Sequence, residues 1–262
     1  TTVTMVDLDE ARGKINWGRE TRRVMTEEDK KVIAYHEAGH ALMQVLSGED
    51  AMKLQKVTII PRGRSLGSTH FAPERDLFNY SRELLIARLQ CLMAGRIAEE
   101  IYTQDISTGA SGDIQQATAI ARAMVCQYGM SDKLGMIQYG DNNEYVFLGR
   151  EMIRSKDYSE RIAEDIDAEV KRIIDEGFER AKSLIDTHRD KLEMLAQKLL
   201  EFETLDGPQV EEIVHHGRFT PPTEKQNVEP PTGAQAATPL PEVVKPSPPK
   251  LPGFGSPAPA TA

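Results

Sequence analysis

The sequence predicts a mainly α-helical fold with one small β hairpin or sheet, built around a core helix that carries a His-Glu-x-x-His motif. Three observations predict it. Apolar residues recur at helical spacing through most of residues 26–216, as in Ala117, Ile120, Ala121, Met124 and Val125. Extended patterning is confined to two short pieces, residues 56–60 and 66–71, on either side of a Gly/Arg turn. With 262 residues, 39% of them hydrophobic, the chain has material for one good-sized core plus appendages.

Residues 7–15 form a short amphipathic stretch. Thr26-Glu27-Glu28-Asp29 is a helix start, with a hydroxyl cap and acids in the first turn, and its helix runs to about Leu46, ending near Gly48. A strand at 56–60 is closed by Pro61 and Gly63, and residues 66–71 return as the second arm of a hairpin. Ser81 begins a helix to about residue 101, and Ser111 begins the next. Residues 136–147 read as a small extended excursion. Residues 159–187 form a long charged helix, read as solvent-facing with i, i+4 pairs such as Lys171 and Asp175; a part in assembly is the alternative. Shorter helices span 190–202 and 208–216. From Pro221 onward the chain carries twelve of its fifteen prolines, a composition that cannot bury enough apolar surface to offset ordering, so a disordered tail is expected.

Composition also excludes. The net charge is −9 and Lys and Arg collect on no one segment, which argues against nucleic acid as a partner. The two cysteines, Cys91 and Cys126, lie inside helical patterns and read as buried thiols rather than a disulfide framework. No apolar run approaches the ~18 residues of a membrane span, and no signal peptide precedes the first helix. A first residue of Thr1 reads as a processed or excised chain.

The chemistry is concentrated in His36-Glu37-Ala38-Gly39-His40. Two histidines four apart on a helix leave the same face one turn apart, near enough to bind one cation. Glu37 projects about 100° around from His36, beside the pair. Two neutral imidazoles can hold zinc while the glutamate reaches the zinc-bound water as general base. An ordinary solvated helix can also carry this spacing by chance, so context decides. Ala34, Ala38, Ala41, Leu42 and Val45 give the helix a buried face of small residues, and Gly39, which costs roughly 1 kcal/mol in a helix interior, implies a close neighbour or ligand access.

A hydrolytic zinc site needs a third protein ligand and an open position. Glu49, Asp50, Glu74, Asp76, Glu99, Glu100, Asp105, Asp113, His70, His188, His215 and His216 are all candidates, and spacing does not choose among them. Asp113, in a first helical turn behind Thr108-Gly109-Ala110-Ser111-Gly112, serves equally well to complete a helix N-terminus. Glu99 and Glu100 are candidates to support the histidines from behind. His70 is a candidate oxyanion donor, with a merely packed histidine as its alternative.

Several segments together resemble a known family. They are the His-Glu-x-x-His helix, Val57-Thr58-Ile59-Ile60-Pro61-Arg62-Gly63, Leu66-Gly67, Ala94-Gly95-Arg96-Ile97-Ala98-Glu99-Glu100, Ser107-Thr108-Gly109-Ala110-Ser111-Gly112-Asp113, and residues 124–135. In this order, over roughly residues 3–214, they resemble the peptidase domain of FtsH-type proteases, ATP-dependent, membrane-anchored zinc metalloproteases that form hexameric rings. The resemblance implies one Zn2+ per chain held by His36, His40 and Asp113, with Glu37 as catalytic base. It implies that an unfolded substrate adds as a strand along Leu66, Gly67, Ser68 and Thr69; a short edge strand is chemically suited to that, and a plain hairpin edge is the alternative. It further implies a homo-hexamer on the cytoplasmic side of the bacterial inner membrane or an equivalent organellar membrane. Residues 1–20 are then the remnant of an ATPase module, 21–218 the peptidase domain and 219–262 the tail. ATP and Mg2+ enter only through that module, since no G-x-x-x-x-G-K-[ST] loop occurs here. Three departures stand: Gly112 where the family usually has Asn, Ala94-Gly95 where it has two glycines, and Gly18-Arg19-Glu20 where it has Gly-Pro-Glu.

Two other classes remain open on the sequence. His-Glu-x-x-His also serves zinc amidohydrolases of small substrates, and a ring-forming assembly module with weak or no activity would keep the helices without needing the site.

Overall fold

The computed structural model describes residues 3–4, 7–8, 11–12, 14–15, 25–47, 52–62, 65–73, 78–105, 107–140 and 158–221. The expectations for Gly18-Arg19-Glu20, Gly48, Gly63, residues 141–147 and the Pro-rich tail beyond Pro221 fall outside them. The chain divides into a unit of residues 1–220 and one of 221–262, and every element below belongs to the first.

Helix α1 (Glu27–Leu46) starts where the capping residues place it. The Asp29 amide donates to Thr26 Oγ1 at 3.1 Å, and the Thr26 amide donates back to Asp29 Oδ2 at 3.2 Å, so two otherwise orphaned N–H groups are satisfied. Ala34, Ala38, Ala41, Leu42 and Met43 are fully buried. That small-residue face admits helix α2 (Arg82–Thr103), capped by Ser81, at very short range. A Cβ built on Gly39 would stand 2.5 Å from the Ala94 carbonyl oxygen and 2.8 Å from Ala98 Cβ, so at that crossing only glycine fits. The cost of Gly39 within a helix is thereby accounted for.

Strand β1 (Met52–Thr58) pairs antiparallel with β2 (Ser68–Pro73), Val57 opposite Thr69. The register shifts between Leu54 and Lys56, a bulge that leaves Gln55 without an opposite number. Both arms therefore sit differently from the sequence expectation. β1 begins four residues before Lys56, and β2 begins two residues after Leu66. The cause of the second offset is a tight return in which the Arg62 and Ser65 amides exchange bonds with each other's carbonyls at 3.1 and 3.0 Å. Leu66 and Gly67 bend out of that return, and pairing starts only at Ser68.

Helix α3 (Ser111–Cys126) follows α2, and Tyr139 folds back on it through a bond from its amide to the Cys126 carbonyl at 2.9 Å. Residues 136–140 form no strand, so the described part of the expected excursion is irregular. Helix α4 (Glu160–Thr187) has the predicted length but is not simply solvent-facing. Ile166, Val170 and Ile173 enter one core cluster with Leu85, Leu89, Ala117, Ala121 and Met124; Ala181 and Ile185 enter another with α1. Most of its charges, including the Lys171–Asp175 pair, lie on the exposed face, whereas Glu169 is buried and accepts a bond from Ser131 Oγ at 2.9 Å. Helix α5 (Arg189–Phe202) and α6 (Gly207–His216) flank the short strand β3 (Thr204–Asp206), which pairs Leu205 with Val57. The sheet order is β2-β1-β3, leaving β2 at one edge. Cys91 is buried and Cys126 half-buried, both as free thiols.

Two buried clusters thus meet along α2 and α4. Helix α1, β1, α5, β3 and α6 surround one; α3 and the first half of α4 surround the other. The His-Glu-x-x-His face of α1 and the first turn of α3 approach each other at that seam, over the middle of α2.

Candidate metal centre and catalytic cavity

His36 and His40 leave α1 one turn apart, their Nε2 atoms 3.0 Å from each other. Asp113, in the first turn of α3, brings Oδ2 to 3.3 Å from His36 Nε2 and 3.5 Å from His40 Nε2. Of the candidates for a third ligand that lie in the described residues, Asp113 alone joins the two histidines in a group whose donor atoms all lie within 4.8 Å of one another. Glu100, Asp105, His70, His188, His215 and His216 do not join that group, and Glu49, Asp50, Glu74 and Asp76 lie outside the described residues.

The hydrogen bonds behind the rings fix what these three atoms can be. His40 Nδ1 is 2.7 Å from the Cys91 carbonyl oxygen, which can only accept, so Nδ1 carries the proton. His36 Nδ1 likewise donates to Glu99 Oε1 at 2.7 Å. In the neutral imidazoles each Nε2 then presents a lone pair. Two lone pairs and a carboxylate oxygen converge on one point with no donor between them, an arrangement that calls for a cation. Two donors about 2.0–2.2 Å from a tetrahedral zinc lie about 3.3–3.5 Å apart. The Asp113 spacings of 3.3 and 3.5 Å match that range, and the two Nε2 atoms, at 3.0 Å, stand a few tenths of an ångström closer.

Titration points the same way. Burial disfavours protonation of His36 and His40, yet the Asp113 carboxylate, with Glu99 beside His36 and the Cys91 carbonyl beside His40, outweighs it and raises both above the usual range. Burial raises the Asp113 carboxyl, but the two imidazoles overcome this and hold it far below its ordinary value. The pocket favours positive charge.

Glu99 does more than hold one ring. Ser107 Oγ donates to its other oxygen at 2.7 Å and accepts from the Gly109 amide at 3.1 Å. Arg96 Nη1 donates to the Ser107 carbonyl at 2.9 Å. One carboxylate on α2 therefore ties His36 to the loop that aims Asp113. The rings rest on α2 itself: a Cβ on Gly95 would stand 2.6 Å from His40 Nε2 and 2.7 Å from His36 Cε1. Gly112, one of the three departures from the FtsH pattern, has open space on its side-chain side.

Glu37 is buried, and its carboxylate borders the same cavity of about 470 Å3 as His36, His40 and Asp113. Thr69 Oγ1 donates to Glu37 Oε2 at 2.6 Å. Gly67 lies against the other side, where a Cβ would meet Glu37 Cγ and Oε1 at 2.8 Å. Of the four positions expected to line the substrate edge, Ser68 and Thr69 belong to β2, Leu66 and Gly67 to the bend before it, and Gly67, Ser68 and Thr69 border the cavity. His70 does not border it. It is buried, bonded to Ser68 Oγ at 2.9 Å, and its pKa falls to about 4 through burial with Lys56 and Arg62 nearby, so it is a packed histidine rather than an oxyanion donor. The Thr69–Glu37 bond and the Cys91 carbonyl were not anticipated from sequence; a backbone acceptor leaves no residue-type signal.

The sequence pattern of peptidase family M41 matches residues 23–213. The chain is 49% identical over 237 residues to "ATP-dependent zinc metalloprotease FtsH 2" of Methylacidiphilum infernorum, covering 90% of this chain and 37% of that protein. It is 54% identical over 217 residues to "ATP-dependent zinc metalloprotease FtsH" of Opitutus terrae, covering 81% and 33%. A protein of the same name from Acidobacterium capsulatum is 41% identical over 262 residues, covering 98% and 40%. The chain thus spans between a third and two-fifths of the length of these relatives.

Proposed function

The chain belongs to peptidase family M41, and we propose that it is a zinc endopeptidase hydrolysing peptide bonds of unfolded polypeptides, with His36, His40 and Asp113 as metal ligands and Glu37 as general base. The observation that carries this reading is the convergence of three acceptor atoms, 3.0–3.5 Å apart, beside a buried carboxylate in one cavity. Zinc supplies Lewis acidity there, polarising a carbonyl and acidifying water. Glu37 takes the proton of the attacking water and returns it to the leaving amine. Glu99 and the Cys91 carbonyl keep both imidazoles in the tautomer that leaves Nε2 free. The β2 edge beside Glu37 supports an extended substrate added as a strand, a mode that recognises backbone and suits unfolded chains of any sequence.

The relatives' names state ATP dependence. The same coupling is proposed for the full protein, with ATP and Mg2+ acting outside residues 23–213, and with it a membrane-anchored homo-hexamer. Among the described residues no helix is long and apolar enough to cross a membrane.

The test measures bound metal and cleavage of casein and of a tightly folded control protein, for the wild type and for Glu37→Gln and Asp113→Ala. The reading expects zinc retained and casein cleavage lost in Glu37→Gln, and zinc lost in Asp113→Ala. Full zinc occupancy in Asp113→Ala would remove that ligand from the set. Casein left intact by a zinc-loaded wild type that cleaves a small acylated amide would make the chain an amidohydrolase instead.

A further inference from the structure

We propose that Thr69 is a positioning residue for the general base, so that the edge strand meant to receive substrate also holds Glu37 in its working orientation. This rests on the reading of Glu37 given above.

The geometry is specific. Thr69 Oγ1 has one proton and two nearby acceptors, Glu37 Oε2 at 2.6 Å and the Glu37 carbonyl at 3.4 Å. The shorter contact takes the proton, since a charged acceptor at 2.6 Å is far better than a neutral one at 3.4 Å. Oε2 is thereby engaged. Gly67 stands so close to Cγ and Oε1 that any side chain there would displace the carboxylate. The glutamate is pinned between the Thr69 hydroxyl on one side and the bare Cα of Gly67 on the other, which together restrict how its carboxylate can turn.

Thr69 is fixed in turn by backbone pairing, since it stands opposite Val57 on β1, which pairs on its other side with Leu205 of β3. The hydroxyl that aims the base is therefore set by the sheet and not by α1. A glutamate bordering an open cavity would otherwise sample several rotamers, each costing time in the wrong orientation; a locked carboxylate costs nothing at the moment of proton transfer. Thr69 touches neither substrate nor the reacting atoms through this bond, and its effect passes through Glu37.

The experiment compares Thr69→Val, which keeps the shape and removes the donor, with Thr69→Ser, which keeps the donor. Each is measured for zinc content, Tm, kcat and KM on a fluorogenic peptide, and Kd for a peptide hydroxamate, whose acidic hydroxyl the general base must accept. Loss of a hydrogen bond to a charged group predicts about a tenfold or greater drop in kcat for Thr69→Val and about a tenfold weaker hydroxamate, with zinc content, Tm and KM near wild type. Thr69→Ser restores both. Should Thr69→Val lower Tm, Thr69→Ala serves in its place. An unchanged hydroxamate Kd in the donorless variant, a Ser variant as impaired as Val, or a raised KM with intact kcat would overturn the proposal; the last would assign Thr69 to substrate. Glu37→Gln run alongside separates the two failures. If that variant stays active, the reading of Glu37 itself fails; if it is inactive while Thr69→Val behaves as wild type, only the role of Thr69 fails.

Discussion

Replacing Gly95 by alanine places one methyl group against the two imidazoles and tests whether their positions matter for metal more than for folding. The added Cβ would stand 2.6 Å from His40 Nε2 and 2.7 and 2.8 Å from the Cε1 atoms of His36 and His40. An ordinary contact is about 3.5–4.0 Å, so the rings must retreat by the better part of an ångström. In the metal-free chain they can tilt. Overpacking of this kind costs about 1–3 kcal/mol, and the gain from replacing a mid-helix glycine returns about 1 kcal/mol, so apo stability should change by no more than about 2 kcal/mol. In the metal-bound chain the Nε2 atoms have no such freedom, because the ion requires both of them and Asp113 Oδ2 within a narrow range. A hundredfold loss of zinc affinity, about 2.7 kcal/mol, is expected. At a zinc concentration 1,000 times the wild-type Kd the ion adds about 4.1 kcal/mol to wild-type stability, and at the same concentration only about 1.4 kcal/mol to the variant. Competition titration against a chromophoric chelator gives the affinity, and calorimetric unfolding with and without zinc gives the stabilisation. Zinc bound by Gly95→Ala within about threefold of wild type, with an undiminished zinc-induced rise in Tm, would refute the placement of the ion over Gly95.

Glu99→Gln keeps hydrogen-bonding capacity toward His36 and Ser107 but removes the charge, and Glu99→Ala removes both; zinc affinity should fall about 10-fold and about 100-fold respectively, read by the same titration. Gly39→Ala sets a methyl 2.5 Å from a backbone carbonyl that cannot swing away, so the urea midpoint should fall by the equivalent of about 2 kcal/mol with m unchanged, despite the better helix propensity. His70 supplies a pH signature. Its folded pKa is depressed by burial, from 6.5 to about 4, so between those values the unfolded chain binds the extra proton and stability declines as pH falls. The contribution is complete above pH 6.5, and up to about 3 kcal/mol is lost by pH 4. His70→Gln should flatten that part of the urea-derived stability profile, and a slope identical to wild type would show that another group carries it.

What the sequence disclosed and what it hid divide by distance along the chain. Helix α1 was legible in full, because its cap at Thr26, its acids at 27–29 and the paired histidines are all local signals. Gly39 was legible as a demand for close approach, though not as a demand made by Ala94. Glu99 was legible as support for the histidines only together with its neighbour Glu100; the structure gives that bond to Glu99, 2.7 Å from His36 Nδ1. Asp113 was not legible from spacing. It is 73 residues from His40, and an aspartate in a first helical turn is explained equally well by the helix end it occupies. Resemblance to a family singled it out; the fold supports that proposal, since α2 carries both Gly95, on which the rings rest, and Glu99, which ties His36 to the loop before α3. Strand β3 went unread for a related reason. Thr204-Leu205-Asp206 looks like the approach to a helix cap, which Asp206 also is, and its strand character exists only because Val57 lies opposite Leu205. Once β3 is in place β1 becomes the central strand and β2 a defined edge. The small sheet therefore has a purpose that its three strands do not advertise singly: it fixes Thr69 against Glu37 from outside the helix that carries the motif. A His-Glu-x-x-His helix sets two ligands and the general direction of its glutamate by itself. In the proposed centre the third ligand, the tautomers and the aim of the carboxylate come from α3, α2 and β2, and none of those three is written within the five residues of the motif.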